Sequence, residues 1–390
     1  MKQVFHFFAP CPRGLEGPLV AELEVLGADQ IKQTEGGVGF AGSWSLMYEA
    51  NLQSRIASRI LWRVAEKTWK TEDDLYAMAR DLDWSELFSV DCTIKVGVTA
   101  YRVPQIRSPE FVALRIKDGI CDRFRLKNDK RPSVDTADPD MRIQLYLTDR
   151  MATLYLDTSG EALFKRGYRV ETGDAPMREN LAAGILSLIG WTPAEALYDP
   201  MCGSATFLIE AAMIARKIAP GARREFAFQK MRLHNEDMWQ ELVAAARAAE
   251  TKEIFPIYGS DVAAVAIAHA QANLDYARFD DTIHLKQLNA MDAKPPVDME
   301  GVWISNPPYG VRLDEKEKLA ALYPQWGDAL KKRFSGWRAY FLTADMDITK
   351  HMGLKASKRT PLYNGGLECR LFEYKMVAGG MRRKPAGSDE

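Results

Sequence analysis

The chain has 390 residues, 47% hydrophobic and 27% charged, which suits a globular protein of two or three domains. Its 52 Lys and Arg balance 53 Asp and Glu, for a formal net charge of -1, so any nucleic-acid surface must be a local patch. The five cysteines (Cys11, Cys92, Cys121, Cys202, Cys369) form no CxxC pair and histidine is sparse, which argues against a metal site or a disulfide framework.

The start, MKQVFHFFAPCPRG, is broken by Pro10 and Pro12 and lacks the apolar core of a signal peptide. No run of about 18 apolar residues reads as a membrane span. A cytoplasmic protein with no membrane partner is expected.

Residues 1–65 read as a small α+β unit. Leu15, Leu19, Leu23 and Leu26 recur at helical spacing, Gly36-Gly37 precedes a short strand, and Ser43 can cap a helix from Trp44 to about Arg59. Residues 66–158 repeat the alternation. TEDDLYAMARDLDWSELF is an amphipathic helix with acids in its first turn, where the dipole favours them. CTIKVGVTA is a strand, and SPEFVALRIKDGICDRFRL is a helix with Phe111, Leu114, Ile120 and Phe124 on or near one face. MRIQLYLTD and MATLYLDTS are strands joined by a short turn. Between Arg102 and Pro132 nine basic residues face four acidic ones, an excess of five that includes Arg115, Arg123, Arg125 and Lys127. A basic helix face beside a sheet suits phosphate contacts, and an ordinary solvated face explains the charge equally well.

Residues 159–178 read as a connector ending in Asp174-Ala175-Pro176, a cap followed by proline in the first helical turn. From there the pattern is α/β over 179–377. ALYD, IYGSD, IHLKQLNAMD, GVWISNPPYG and WRAYFLTAD are strands separated by helices, with a helical insertion over 222–252 and a helix over 315–332. Such alternation predicts a mostly parallel, doubly wound sheet. The tail 378–390 is expected to be disordered.

Four strand ends carry the candidate chemistry. Asp199-Pro200-Met201-Cys202-Gly203-Ser204 lies between a strand and a helix start, where backbone N–H groups converge and small residues admit a ligand. The loop has neither GxGxxG spacing nor a Lys or Arg, so a ligand with a carboxylate or ribose fits better than a bare phosphate chain. Asp261 ends the next strand, where an acid can accept from ribose hydroxyls; a helix cap is the alternative. Asp292 could receive an adenine amine, or serve as a turn residue. Asn306-Pro307-Pro308-Tyr309 follows a fourth strand. The Asn306 side-chain oxygen and the Pro307 carbonyl can both accept from one NH₂ group, proline holds Asn306 extended, and Tyr309 can stack on a base.

DPMCGSAT, GSD, NAMDA and NPPYG, in this order, resemble the Rossmann-fold S-adenosylmethionine-dependent N-methyltransferases. FKRGYR, APMRENLAAGIL and FLIEAAMIA narrow the resemblance to bacterial guanine-N2 RNA methyltransferases. RGLEGPLVAELEVLGA through LDTSG resembles the ferredoxin-like unit and THUMP RNA-binding domain of that family. Those acting on 23S rRNA are the nearest match, over residues 1 to about 375. The resemblance implies S-adenosylmethionine across Asp199 to Ser204, with its ribose at Asp261 and its adenine near Asp292. It needs no metal.

Structured RNA is then the partner, either 23S rRNA or a pre-ribosomal particle, with tRNA as runner-up and Arg312 as a further phosphate contact. A DNA adenine methyltransferase and a non-catalytic RNA-binding or ribosome-assembly protein are the other readings. Some relatives carry a second methyltransferase domain, and no second activity is expected from these 390 residues. The family loop usually reads GSGT where this chain has Gly203-Ser204-Ala205-Thr206. A positive φ at Ala205 would strain the site, whereas a close-packing role would tolerate alanine. The intact motif favours the second.

Overall fold

The computed structural model describes residues 3–377 except 107, 172–176 and 309–312. Tyr309, Arg312, the Asp174-Ala175-Pro176 cap and the 378–390 tail therefore lie outside the described residues. Two compact units divide the chain: Met1–Gly167 with Ile218–Glu250, and Tyr168–Lys217 with Thr251–Glu390.

In the first unit the chain forms β1 (Phe5–Pro10), α1 (Glu16–Val25), β2 (Asp29–Thr34), β3 (Gly37–Gly42), α2 (Trp44–Gln53) and β4 (Leu61–Thr68). It continues with α3 (Glu72–Asp81), β5 (Ile94–Ala100), α4 (Pro109–Asn128), β6 (Met141–Leu147) and β7 (Met151–Asp157). The strands make one sheet in the order β2-β3-β1-β4-β7-β6-β5. β4 pairs with β1 on one side and β7 on the other. The boundary expected between residues 65 and 66 thus falls inside a shared strand, a pairing that no local sequence window reveals.

Three local expectations change. The helix begun at Ser43, whose Oγ accepts from Leu46 N at 3.2 Å, stops at Gln53 and not near Arg59. There Ser54 turns extended and donates to Glu22 at 2.6 Å, and the same carboxylate accepts from Arg55 N at 2.7 Å. Burial pushes the Glu22 carboxyl above its usual range. The acid-led helix has its capping box, Thr71 with Asp74, but ends at Asp81 before a single 3-10 turn over Trp84–Glu86. On α4 the buried stripe is Val112, Ile116, Ile120 and Phe124, spaced every four residues; Phe111 and Leu114 are about half exposed.

In the second unit the chain forms α5 (Glu179–Leu188), β8 (Ala196–Asp199) and α6 (Thr206–Ala215). It then rejoins the first unit over Ile218–Glu250, which contains α7 (Glu236–Ala248). The second unit resumes with β9 (Ile257–Asp261), α8 (Ala264–Ala277), β10 (Ile283–Gln287), β11 (Gly301–Ser305) and α9 (Leu313–Arg333). It closes with β12 (Arg338–Thr343), α10 (Ile348–His351), β13 (Lys358–Asn364) and β14 (Leu367–Lys375). The sheet order is β10-β9-β8-β11-β12-β14-β13, parallel except where β14 meets β12 and β13. Strand order reverses between β8 and β11, the switch point at which α/β sheets bind ligands beyond their carboxyl ends. β11 is wholly buried, with the Trp303 ring 4.9 Å from Phe334 and 5.9 Å from Tyr198. Among the described residues, no helix is long and apolar enough to cross a membrane.

The inserted segment joins the first unit through aromatic packing. Tyr48 of α2 lies 4.7 Å from Phe228 and 6.0 Å from Trp239, ring to ring. Its hydroxyl oxygen accepts from Asn235 N at 2.8 Å and from Trp44 Nε1 at 3.1 Å. With both lone pairs used, the hydroxyl proton goes to His234 Nδ1 at 3.2 Å. His234 Nε2 then carries the ring proton and donates to Glu236 at 2.7 Å. Tyr48→Phe would leave two N–H groups without their acceptor. It is expected to lower unfolding free energy by about 1–3 kcal/mol in urea titration; a change below about 0.5 kcal/mol would show that this junction does not hold the segment.

Candidate functional site

The DPMCGSAT loop connects β8 to α6 at the switch point. Asp199 is buried at the end of β8, and its Oδ1 accepts from Met201 N at 3.1 Å, turning the chain back on itself. Cys202 N donates to the Ser260 carbonyl at 2.9 Å, and Gly203 N donates to the Asp261 carboxylate at 3.1 Å. Asp261 also accepts from Ala263 N at 3.0 Å, so one carboxylate ties the loop to β9 and starts α8. Gly203 has φ +52°, and a Cβ built there would meet nothing within 4 Å: the loop faces open space. Gly259 serves close approach instead, since a Cβ there would lie 2.3 Å from Leu208 of α6.

Ala205 departs from expectation. It has φ +66° and ψ 25°, in the left-handed region, and is fully buried at the start of α6. The position needs a positive φ and is not merely one of close packing. That conformation costs a non-glycine residue about 1 kcal/mol. The buried methyl returns about 0.8 kcal/mol, which explains how alanine persists where glycine would be free of strain.

The fourth strand end closes on the first. Ser305 Oγ donates to Asp199 Oδ1 at 3.3 Å, so the residue preceding Asn306 is anchored on the loop carboxylate. Asn306 is half-buried, Pro307 buried and Pro308 exposed. Burial, and then the neighbouring Asp261 charge, push the Asp199 carboxyl up to about 8. The same surroundings hold the Cys202 thiol protonated, which removes it as a nucleophile. Asp292 is exposed on the 3-10 turn after β10. Arg333 fixes that turn by donating to the carbonyls of Met291 at 2.7 Å and Ala293 at 2.8 Å.

Several supporting residues were not singled out in the sequence. Asn273 of α8 donates to the Ser204 carbonyl at 3.1 Å, while its oxygen accepts from Val170 N and Glu171 N. Arg169 bonds Thr206 Oγ1 at 3.0 Å and pairs with Glu179 at 3.3 Å, and Tyr168 donates to Glu210 at 3.1 Å. The connector is thus a brace for the loop. The available signal was polar residues on otherwise apolar helix faces, Asn273 in α8 and Glu210 in α6.

The four described candidates for RNA contact lie on α4 in the first unit. Each is ion-paired: Arg115 with Asp73 at 2.7 Å, Arg123 with Asp83 at 3.5 Å, Arg125 with Asp122 at 2.9 Å, and Lys127 with Asp83 at 2.5 Å. A cavity of about 150 Å³ beside Arg338 and Tyr340 is unrelated to the loop. Arg338 opens β12 and Asp199 ends β8, so the two lie at opposite ends of a parallel sheet. Among the described residues, no cluster of three His, Cys, Asp or Glu could hold a metal ion.

Two variants test the loop. Asp199 is protonated in the fold up to about pH 8 but ionises near 3.8 when unfolded, so the fold loses stability as pH rises through that window. Asp199→Asn should be more stable than the parent by about 2 kcal/mol or more at pH 8, with the gap closing near pH 4; a gap that widens in acid would contradict the buried acid. Ala205→Val, β-branched at positive φ, should cost about 2–3 kcal/mol in the same titration, and Ala205→Gly should stay within about 1 kcal/mol. Equal stability of the valine variant would mean the left-handed geometry is not enforced.

Comparison with known proteins agrees with this geometry. Residues 166–373 match the RMKL-like methyltransferase domain, residues 6–61 the RlmL ferredoxin-like domain, and residues 70–157 the THUMP domain. A "putative RNA methyltransferase" of Synechocystis sp. is 40% identical over 372 residues, covering 95% of this chain and 96% of that protein. The ribosomal RNA large subunit methyltransferase K/L of a Shewanella species is 39% identical over 389 residues, covering 97% of this chain and 54% of the relative. The chain thus spans about half the length of that enzyme. A crystal structure of a "putative methyltransferase" complexed with SAH matches with a TM-score of 0.88 at 31% identity, covering 97% of this chain and 100% of that one. The chain belongs to the RMKL-like methyltransferase family, with RlmL ferredoxin-like and THUMP domains ahead of its methyltransferase domain.

Proposed function

We propose that this chain methylates the exocyclic N2 amine of a guanine in RNA, with S-adenosylmethionine as donor and 23S rRNA as substrate. The observation that carries the reading is the Ser305–Asp199 hydrogen bond, which brings the amine-accepting strand end to the ligand loop.

The residues present fit the donor. The loop offers buried and half-buried carboxylates, open space over Gly203 and no cationic side chain, a set suited to a cationic amino acid joined to a ribose. Asp199 and the loop backbone would hold the charged end, Asp261 the ribose hydroxyls, and Asp292 the adenine amine. The donor supplies an already activated methyl group, so no metal is required.

What remains for the protein is alignment. The Asn306 side-chain oxygen and the Pro307 carbonyl accept from the two N–H bonds of the target amine and orient its lone pair. Pro307 keeps Asn306 extended, and Tyr309 would stack on the base. After transfer the nitrogen gives its proton to water, so no side-chain base is needed. The paired cations on α4 remain available to phosphates, because exposed ion pairs are worth under about 1 kcal/mol. Arg312, beyond Tyr309, would add a further phosphate contact.

Incubating the protein and labelled donor with unmodified 23S RNA, tRNA and duplex DNA should give N2-methylguanosine in the 23S RNA. Product confined to tRNA would replace the ribosomal assignment, and N6-methyladenine in DNA would replace the base as well. A protein that fails to bind the donor would be a non-catalytic RNA-binding factor. Asn306→Ala should lower turnover about 10²-fold with donor affinity unchanged. Donor affinity should also rise with pH from about 6 to about 7.5, because an ammonium prefers the ionised Asp199, ligand-free Asp199 still holds its proton there, and the donor's own amino group stays charged until about 8. Affinity that falls over this range would contradict the placement of the cation.

A further inference from the structure

The register of the first unit's sheet sorts its side chains onto two faces. Ile143, Leu145 and Leu147 of β6 lie beside Leu156, Leu154 and Ala152 of β7, and all six are fully buried or nearly so. The opposite face has a different chemistry. Tyr146 stands opposite Thr99 on β5 and Thr153 on β7, and Gln144 stands between Gly97 and Tyr155. Arg63 of β4 is the next partner of Tyr155, and Lys95 is the partner of Arg142. An irregularity between Arg63 and Ala65 shifts the strand parity, so that Glu66 joins Arg63 on this same face.

This face is aromatic and cationic. Tyr146 is 37% exposed at its outer edge, and the Tyr155 ring lies 6.1 Å from that of Phe8 on β1. Of its three cations, Arg63 pairs with Glu66 at 3.2 Å, and Lys95 donates to the Thr136 carbonyl at 2.7 Å. Arg142 makes no ion pair among the described residues, and its buried Nε lacks a hydrogen-bond partner. Sheet platforms of this composition hold unpaired nucleotides: rings stack on bases of any sequence, and guanidinium groups take the phosphates between them.

We propose that this open face, centred on Tyr146 and Tyr155 with Arg63 and Arg142 beside them, is a platform for single-stranded RNA flanking the methylated site. The inference rests on the RNA reading of the catalytic unit and deepens it. It adds a grip on the strands to the phosphate contacts proposed for α4. Net positive charge on the face complements a phosphate backbone, and the Gln144 side chain lies flat over the bare backbone of Gly97, where it donates to Thr99 Oγ1 at 3.0 Å.

The test uses the intact chain and a short unstructured RNA of mixed sequence, followed by fluorescence anisotropy at fixed salt, with the same sequence as duplex for comparison. Tyr146→Ala should weaken single-strand binding at least about fivefold, the loss of one stacked base, while Tyr146→Trp restores it. Arg142→Ala should weaken it too and lower its salt dependence. Duplex binding should change less than single-strand binding. Unchanged single-strand affinity in Tyr146→Ala, no binding of the short RNA by the parent, or an equal loss on duplex would overturn the platform. Donor-dependent methylation of 23S RNA by the parent is measured alongside. If that reaction proceeds while Tyr146→Ala binds normally, the platform alone falls; if no RNA is methylated, the functional reading falls as well.

Discussion

A buried carboxylate holds the second unit's site together. Asp199 ends β8, turns the loop through Met201, and receives the Ser305 hydroxyl from the end of β11. These two strands flank the point where the sheet reverses its order. Removing a charge from water is costly, and the fold answers that cost with protonation, since burial and Asp261 push the Asp199 carboxyl up to about 8. Under the proposed function, a cationic ligand at Asp199 would stabilise the ionised form and relieve the penalty. Asn273 on Ser204 and Arg169 on Thr206 brace the far side of the loop that this carboxylate begins.

The chain reaches that arrangement by an interleaved route. It completes a seven-stranded sheet, begins the second unit, returns to the first over Ile218–Glu250, and then resumes the second. The wide sequence gap between Asp199 and Asp261 is this excursion. Because β4 joins the ferredoxin-like and THUMP parts into one sheet, the first unit is a single body with one continuous strand face.

Much of this was legible in the sequence where signals are local. The strand-end motifs, the Ser43 cap, the acid-led helix and the alternation of β8 through β12 follow from spacing and residue type. What escaped depends on partners far away in sequence. Glu22 collecting Ser54 and Arg55 ends α2 early, and neither residue announces the other. On α4 the expected Ile120 and Phe124 are buried, but Phe111 and Leu114 are about half exposed and Val112 and Ile116 take their places, because periodicity alone does not say which neighbouring apolar positions face the sheet. Ala205 was misjudged because an alanine at positive φ runs against the residue's own preference, and only the loop geometry shows that the backbone demands it. Ser305, adjacent to the motif, gave no sign of its bond to a residue 106 positions earlier.

The central claim, that this arrangement serves guanine-N2 methylation of ribosomal RNA, is tested most directly in cells. Nucleosides from 23S RNA fragments would be mapped by mass spectrometry in strains with and without the gene for this chain. The account predicts one N2-methylguanosine lost in its absence and regained with the intact gene but not with the Asn306→Ala variant. An unchanged 23S map, or rescue by the Asn306→Ala variant to full occupancy, would contradict it.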